Sequence, residues 1–365
     1  MSGGAGGGAS ASDNPGAGVR SRPPPAKRAT IGDVAAGAGV STATVSRVVN
    51  GGAVADATAA RVRAAIARLQ YTPNALTRGV FAGRSSAIGV VLRDLSTPFY
   101  LDLIRGIDEA AAANGSLITL ANTARRSDRE VAHIRAMDEQ RVRGLIVATG
   151  SAAGGYVRRM AGNGTPCVLV ARTVPNPRAG LHSITLDDGE AGRLMAAHLV
   201  ACGRSSIGVV ASGLRPAQAA RIAGLRRALD ELGVTLPGDA VTVAADPADA
   251  DEAVGSLLAR PGAVDAIVCT TGRLTVAVHA ALTGRGVAVP DDVAFLTMDD
   301  FPWAATLGIT AIAQPSHPMG RSAADLVMQN PQRPARLVFA PALVARGSCG
   351  ERHALRGGRP AGGQR

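Results

Sequence analysis

The stretch AGVSTATVSRVVN, residues 38–50, decides the fold of the N-terminal part of the chain. Residues 39–41 read Gly-Val-Ser, a tight turn in which Ser41 is placed to cap a helix over 42–49. Glycines directly after Asn50 end that helix. Apolar residues at helical spacing predict flanking helices over 31–38 and 56–70. Two helices joined by a three-residue turn with a glycine are typical of a helix-turn-helix, and the third helix closes its small core.

The basic charge of the chain is concentrated at its two ends. The 365 residues carry a formal net charge of +11, of which residues 1–85 supply ten basic against three acidic side chains and residues 345–365 five against one. Residues 86–344 are neutral, with 24 of each sign. A basic N-terminal module on a neutral body is typical of a nucleic-acid binder. Because four of the ten N-terminal basic residues lie within 1–28, a merely basic disordered arm is the alternative.

Composition argues against several other classes of protein. The four cysteines are far apart and show no paired spacing, which predicts buried thiols in a reducing compartment and no disulfide or zinc framework. The histidines show no metal-ligand spacing, and we expect no metal and no cofactor. No apolar run reaches the length of a membrane span, and no secretory h-region follows the first residues. We therefore expect a cytoplasmic protein without membrane contact.

Beyond residue 86 the pattern changes to alternating strands and helices. Such a rhythm predicts parallel sheets with helices on both faces, and about 270 residues of it predict two lobes. A ligand is then expected between the lobes, beyond the carboxyl ends of the strands. The predicted strands cover 88–92, 117–121, 145–148, 167–170, 207–211, 266–269 and 293–297, and clear helices cover 100–113, 190–201 and 218–232.

The motifs resemble the lac-repressor (LacI/GalR) family in order along residues 29–349. The resemblance rests on TIGDVA at 30–35, GVSTATVSRVVN at 39–50, YTPN at 71–74, AGRS at 82–85, DLSTPFY at 94–100, RIAGL at 221–225, AFLTMDD at 294–300 and ARGS at 345–348. It implies a three-helix headpiece, a hinge helix and an α/β core like periplasmic sugar-binding proteins. It also implies a homodimer on palindromic double-stranded operator DNA, with affinity controlled by a small, sugar-like effector.

The resemblance gives boundaries to these parts. We expect a disordered tail over 1–28, a headpiece over 29–73, a hinge helix or linker over 74–85 and a core over 86–349. The N-lobe would take 86–186 and 314–330, and the C-lobe 187–313 and 331–349. Residues 350–365 would form a flexible tail without a leucine heptad, which predicts a dimer rather than a coiled-coil tetramer.

The same resemblance assigns DNA contacts. Arg47 is expected to contact a guanine edge, with a phosphate contact as the alternative. Tyr71 could contact phosphate or pack in the headpiece core. Val80, at the place of a hinge leucine that wedges into the minor groove, could wedge or could pack with Phe81 between paired hinge helices. The remaining expected contacts are base edges for Thr42, Ala43 and Ser46, and backbone positioning for Thr30, Ser41, Thr44, Asn50 and Asn74.

The effector site is expected on side chains that could grip hydroxyl groups. Arg221 and Asp299 are the main candidates, with a surface ion pair and a helix cap as their respective alternatives. Phe99 would be an apolar wall or a core residue, and Gln314 a further polar contact. Trp303 would stack on a sugar face or pack at the lobe edge.

Two departures from the family pattern affect this site. Ala171 stands where the family commonly has Asp, and residues 270–272 read Thr-Thr-Gly where it commonly has Asn-Asp. A DNA-binding regulator with a degenerate or non-sugar cleft is therefore the alternative function. A solute-binding protein would have a signal peptide and no headpiece, and an enzyme would show a nucleophile elbow, a phosphate loop or an acid/base pair; neither set of features is present. We expect no enzymatic activity.

Overall fold

The computed structural model describes residues 29–72, 85–148, 153–173 and 180–350, in two units that divide between Arg78 and Gly79. The predicted hinge segment, with Asn74 and Val80, and the two predicted tails lie outside the described residues, apart from single residues at their edges.

The N-terminal unit begins with the three predicted helices, α1 (Ile31–Ala38), α2 (Thr42–Val49) and α3 (Asp56–Arg68). Thr30 caps α1 in a capping box with Asp33, whose carboxylate accepts a hydrogen bond from the Thr30 amide at 2.7 Å. Gly39 ends α1 with a φ of 66°, a left-handed conformation that glycine adopts without steric cost. The hydroxyl oxygen of Ser41 then accepts a hydrogen bond from the Thr44 amide at 3.2 Å and starts α2.

One apolar cluster holds these helices together. Val34, Val45 and Val62, one from each helix, have no exposed surface, and Tyr71 is 8% exposed beside them. This clustering is what the apolar spacing predicts for a three-helix module. The side chains of Thr42, Ala43 and Arg47 remain outside it, on the exposed surface of α2.

The first lobe of the second unit is built on a six-stranded parallel sheet. Its strand order is β11-β5-β4-β3-β1-β2. The strands are β1 (Ala87–Leu92), β2 (Leu117–Asn122), β3 (Gly144–Ala148), β4 (Cys167–Val170), β5 (Leu181–Leu186) and β11 (Arg336–Phe339). Helices α4 (Pro98–Ala113) and α12 (Ser316–Gln329) pack on one face, and α5 (Ser127–Glu139) and α6 (Gly154–Gly162) on the other.

The second lobe repeats this plan with an antiparallel edge. Its strand order is β12-β10-β9-β8-β6-β7, with only β12 antiparallel to its neighbour. The strands are β6 (Ile207–Ala211), β7 (Val241–Val243), β8 (Ala266–Cys269), β9 (Ala294–Met298), β10 (Thr310–Ala313) and β12 (Ala342–Val344). The helices are α7 (Asp188–Ala201), α8 (Pro216–Glu231), α9 (Ala250–Leu258), α10 (Gly272–Gly284) and α11 (Pro302–Thr306).

The chain crosses between the lobes three times, and one expected boundary is wrong for this reason. The crossings lie after β5, after β10 and after β11. Residues 331–349 were expected in the C-lobe as one block, but β11 pairs with β5 of the first sheet, and only β12 joins the second. Because β11 fills the sheet edge beside β5, its pairing is set by a partner about 150 residues away in sequence.

Helices α7 and α8 cross closely enough to bring their backbones into contact. A Cβ added at Gly192 of α7 would collide with the Arg221 carbonyl and the Leu225 amide of α8. Glycine at this crossing therefore fixes where α8 lies, and α8 carries two of the cleft side chains described below.

The four cysteine side chains are buried and form no disulfide, as the sequence predicts. Burial raises the pKa of Cys167 to about 12 and those of Cys269 and Cys349 to about 11, so these thiols stay protonated near neutral pH. No helix in the described ranges combines the length and apolar composition that a membrane crossing requires.

Candidate nucleic-acid interface and effector cleft

The exposed surface of α2 carries the side chains expected to read DNA. Thr42, Ala43, Arg47 and Asn50 are exposed, whereas Thr44 and Ser46 are half-buried. The Thr44 hydroxyl lies 3.0 Å from that of Ser41, and Asn50 donates to the Ser46 hydroxyl at 3.2 Å. Since these bonds occupy the polar groups beside it, Arg47 is the long side chain of α2 that remains available for a base edge.

Two further residues of this unit that were expected to contact DNA, Thr30 and Tyr71, differ in their exposure to solvent. Thr30 is exposed at the start of α1, where its hydroxyl bonds Asp33 at 2.7 Å. Tyr71 is buried in the headpiece core, which fits the packing role considered for it.

The second unit contains a cleft of about 800 Å³ between its two lobes. Residues that follow β1 and β4 line it from the first lobe, and residues that follow β6, β8 and β9 line it from the second. Because the strands are parallel, their carboxyl ends meet at this gap, where open α/β sheets bind their ligands. The predicted residues Phe99, Arg221, Asp299 and Gln314 all line it.

Asp299 lies at the floor of the cleft directly after β9, in a left-handed conformation with φ of 73°. Its carboxylate accepts hydrogen bonds from the Gly272 amide at 3.0 Å and from the Gln314 side chain. Burial raises the pKa of Asp299, although these hydrogen bonds act in the opposite direction. The carboxylate is thus fixed in place with a side-chain donor beside it.

Arg221 of α8 is 6% exposed and is held by two acceptors. One Nη donates to the Asp188 carboxylate at 2.5 Å, and the other donates to the Thr270 carbonyl. Burial raises the pKa of Asp188, and the neighbouring Arg221 charge opposes that effect. Arg221 therefore forms a buried ion pair at the cleft, not the surface ion pair of the alternative interpretation.

Phe99 combines both roles considered for it, because it lines the cleft and is 7% exposed within the first-lobe core. The Tyr100 ring meets it edge-on, with ring centroids 5.1 Å apart. Trp303, for which ligand stacking and packing at the lobe edge were both considered, is not among the residues that line the cleft. Its ring packs on Phe301, with centroids 5.2 Å apart, against the core of the second lobe.

The cleft also contains polar residues that sequence reasoning missed. Asp188, Arg93 and Arg172 follow strands of the first sheet closely, so a search of strand ends in parallel sheets could have found them. The others lie on loops or within helices and carried no separate signal: Arg125, Arg158, Arg215, Gln218 and Arg273.

Arginines and aspartates also connect the lobes at the cleft. Arg273 of the second lobe reaches Asp94 of the first at 3.2 Å, and Arg125 of the first reaches Asp246 of the second at 2.7 Å. Both arginines also donate to the Ala245 carbonyl at 2.9 Å, and Arg273 pairs with Asp246. We refer to these four charged side chains as the interlobe latch.

Comparison with known proteins assigns both units. Residues 30–74 match the model of bacterial regulatory proteins of the lacI family, and residues 85–340 match that of periplasmic binding proteins and the sugar binding domain of the LacI family. The chain is 32% identical to the HTH-type transcriptional regulator PtxS of Pseudomonas plecoglossicida, over 88% of this chain and 96% of that one.

Solved structures agree with this assignment. A complex of the transcriptional regulator CelR with cellobiose aligns with a TM-score of 0.66 at 27% identity, over 88% of this chain and all of that one. The lac repressor dimer bound to operator and the anti-inducer ONPF has the same fold, with a TM-score of 0.77 at 23% identity over 89% of this chain and all of that one. With both of its units matched in order, the chain belongs to the lacI family of bacterial regulatory proteins.

Proposed function

We propose that this protein is a transcriptional repressor that binds a palindromic operator through α2 and changes its operator affinity when a small molecule binds the cleft. The observation that carries the proposal is the combination, in one chain, of an exposed, Arg47-bearing second helix with a two-lobed cleft lined by fixed polar side chains. A family regulator needs both a DNA reader and an effector site, and family membership supplies the link between them.

The DNA-reading role rests on the surface chemistry of α2. Arg47 can donate two hydrogen bonds to a guanine edge in the major groove. The small Thr42 and Ala43 leave the start of the helix free to approach bases closely, and the exposed Ala43 methyl can contact a thymine methyl. The unpaired amide groups at the N-terminus of α2 favour a nearby phosphate.

The effector role rests on the polar floor of the cleft. Gln314 donates to Asp299 and Arg221 donates to Asp188, so the remaining donors and acceptors of these two pairs are preorganised for a hydroxylated ligand. The complex of CelR with cellobiose is a precedent for sugar binding by this fold. Two hydrogen-bonded pairs of polar side chains at the cleft also argue against the alternative of a degenerate site.

A homodimer fits the symmetry of a palindromic operator. The edge strand β2 exposes Leu117 at 73% and Leu120 at 41%, an apolar edge that a second copy would cover. Ligand-driven closure of the cleft would shift the first lobes of the two copies relative to each other and change the spacing of their headpieces.

Selection of duplexes from a random library by the full chain tests the DNA-binding part of the proposal. We expect a two-fold palindrome to be enriched. Arg47→Ala should then lower affinity for that duplex by about 10- to 100-fold, as expected for loss of a bidentate base contact. Arg63→Ala is the matched control, since Arg63 is an exposed arginine on α3 of the same unit. Unchanged affinity of the Arg47 variant would refute its role.

A further inference from the structure

The cleft carries more positive than negative charge. Seven arginines and three aspartates line it, a formal excess of four positive charges. A neutral sugar needs no such excess, because its hydroxyls are satisfied by balanced donors and acceptors. The lining residues that carry charge are Arg93, Asp94, Arg125, Arg158, Arg172, Asp188, Arg215, Arg221, Arg273 and Asp299.

The carboxylates that line the cleft are paired with other groups and form no salt bridge with Arg93 or Arg215. Asp188 pairs with Arg221, and Asp94 pairs with Arg273 of the interlobe latch. Asp299 is occupied by Gln314 and the Gly272 amide. The guanidinium groups of Arg93 and Arg215 form no hydrogen bond and no ion pair with any residue in the described ranges, although the backbone carbonyl of each accepts hydrogen bonds.

Arg93 and Arg215 come from opposite lobes. Arg93 directly follows β1 of the first lobe, and Arg215 precedes α8 of the second lobe as its N-cap residue. Burial lowers the pKa of both guanidinium groups, and each is close enough to Arg125 for repulsion to lower it further. Arg93 likewise lowers the pKa of Arg215. Asp94 and Glu130 partly offset the effect on Arg93. Both guanidiniums remain charged near neutral pH, so like charges of the two lobes, neither held in a salt bridge, lie close enough across the cleft to repel each other.

The surroundings of this arginine pair favour an oxyanion. Pro216, Ala217 and Gln218, the first residues of α8, line the cleft beside Arg215, so the positive end of a 16-residue helix points toward the same space. Burial raises the pKa of Tyr100 to about 12, which keeps its phenol neutral and able to donate. Guanidinium groups recognise carboxylate and phosphate oxygens through paired hydrogen bonds.

We propose that the effector is a small hydroxylated acid, a carboxylate or phosphate ester, whose acidic group binds between Arg93 and Arg215 while its hydroxyls contact Asp299, Gln314 and Asp188. The proposal rests on the proposed function, in which the effector occupies this cleft. Binding of one anion by arginines of both lobes removes their mutual repulsion and draws the lobes together. The same contacts that recognise an acidic ligand would therefore also close the cleft.

Thermal unfolding of the full chain with matched probes tests the proposal. The probes are inorganic phosphate, D-glucose, D-gluconate and D-glucose 6-phosphate, each against sodium chloride at equal ionic strength. The proteins are the wild type, the double variant Arg93→Gln/Arg215→Gln and the control Arg105→Gln. Arg105 is an exposed arginine of α4 outside the cleft lining. Circular dichroism of each variant without ligand verifies that it is folded.

We expect at least one anion to raise the Tm of the wild type and the Arg105 variant by roughly 5 °C at a hundred times its Kd, with little shift in the double variant. Gluconate against glucose 6-phosphate distinguishes a carboxylate from a phosphate ligand. If glucose stabilised the wild type as strongly as the acids do, the proposal of an acidic effector would be overturned. The cleft would then still be an effector site, but for a neutral ligand. Equal shifts in wild type and double variant, or no anion effect on either, would also overturn it. The proposed function fails separately, if the chain enriches no palindrome.

Discussion

At the scale of single residues, Ala171 stands out for its backbone conformation at the edge of the cleft. It has a φ of 59°, in the left-handed region, directly after β4. A residue with a Cβ pays about 1–2 kcal/mol there, and asparagine tolerates that region better than alanine. We predict that Ala171→Asn increases the free energy of unfolding by about 0.5 kcal/mol. Urea unfolding measures it, with Ala220→Asn in the middle of α8 as a control expected to destabilise. An unfolding midpoint for the Ala171→Asn variant at or below that of the wild type would contradict the argument.

The residues of the candidate site differ in how far sequence reveals them. Arg221 and Asp299 lie in motifs that resemble family elements, so the sequence alone points to both. Arg93 and Arg215 lie about 120 positions apart in sequence, and only the folding of two lobes brings them to one space. The sequence leaves the role of Trp303 open, since an aromatic residue near a cleft motif can stack on a ligand or pack on its own lobe, and its ring packs on Phe301.

At the scale of elements, two substitutions of Ser41, the cap of α2, distinguish its role in stability from its role in DNA binding. Ser41→Ala removes the hydrogen bond to the Thr44 amide and should destabilise the N-terminal unit by about 1 kcal/mol. Ser41→Asp keeps an acceptor at the cap but adds a negative charge near the expected phosphate. We predict that it retains the wild-type Tm of this unit and lowers operator affinity about tenfold at low salt. Thermal circular dichroism and fluorescence anisotropy measure the two effects. Full operator affinity in the Asp variant would place the start of α2 away from the DNA backbone.

The crossing of α7 and α8 gives a second prediction for an element. Gly192→Ala forces a methyl group against the Arg221 carbonyl, so α8 must shift and move Arg221 relative to Asp188. We expect a loss of about 2 kcal/mol in stability, as for overpacking of a tight contact, together with weaker effector binding. Gly284→Ala is the control, because nothing lies near its added Cβ. Calorimetric titration and urea unfolding provide the readouts. A stable Gly192 variant with unchanged affinity would contradict the positioning role of this crossing.

Elements with strong periodicity are predictable from the sequence, and those fixed by distant partners are not. The strand expected over 88–92 is observed as β1 (Ala87–Leu92), and 207–211 matches β6. Strands β5, β7, β10, β11 and β12 have no counterpart among the predicted strands. β5 contains His182 and Ser183 among its apolar residues, and β7 and β12 have three residues each, so none shows a clear apolar run. The lobe of β11 depends on its pairing with β5 and was assigned wrongly.

At the scale of the whole molecule, the interlobe latch makes closure dependent on charge. Hydrogen bonding by Arg273 is the main cause that lowers the pKa of Asp246. Partial burial acts to raise the pKa of Asp94, but hydrogen bonds from Ser96 and attraction to Arg273 outweigh it and lower the value. A carboxylate with a depressed pKa favours the closed form above its ordinary pKa and loses that contribution as pH falls through the lowered value. Latch strength should therefore be constant from pH 5 to pH 8 and decline only below about pH 4.

Removing one charge of the latch tests this account. Asp246→Asn keeps an oxygen to cap the turn at Pro247–Asp249 and removes the charge that faces Arg125 and Arg273. We predict roughly twofold faster hydrogen–deuterium exchange at the cleft-lining segments 93–97 and 270–273, because an exposed pair contributes modestly. Asp128→Asn, which alters an exposed pair within one lobe, is the control and should not change exchange there. Equal exchange rates in all three proteins would contradict a latch.

Operator affinity measured by fluorescence anisotropy, with and without a saturating cleft ligand from the thermal screen, tests the central claim most directly. If cleft closure couples the effector and operator sites, the bound ligand should change the Kd for the enriched palindrome by about 5- to 150-fold. The same ligand should leave the affinity of Arg93→Gln/Arg215→Gln unchanged. A ligand that binds the cleft of the wild type yet leaves its operator affinity the same would contradict the account.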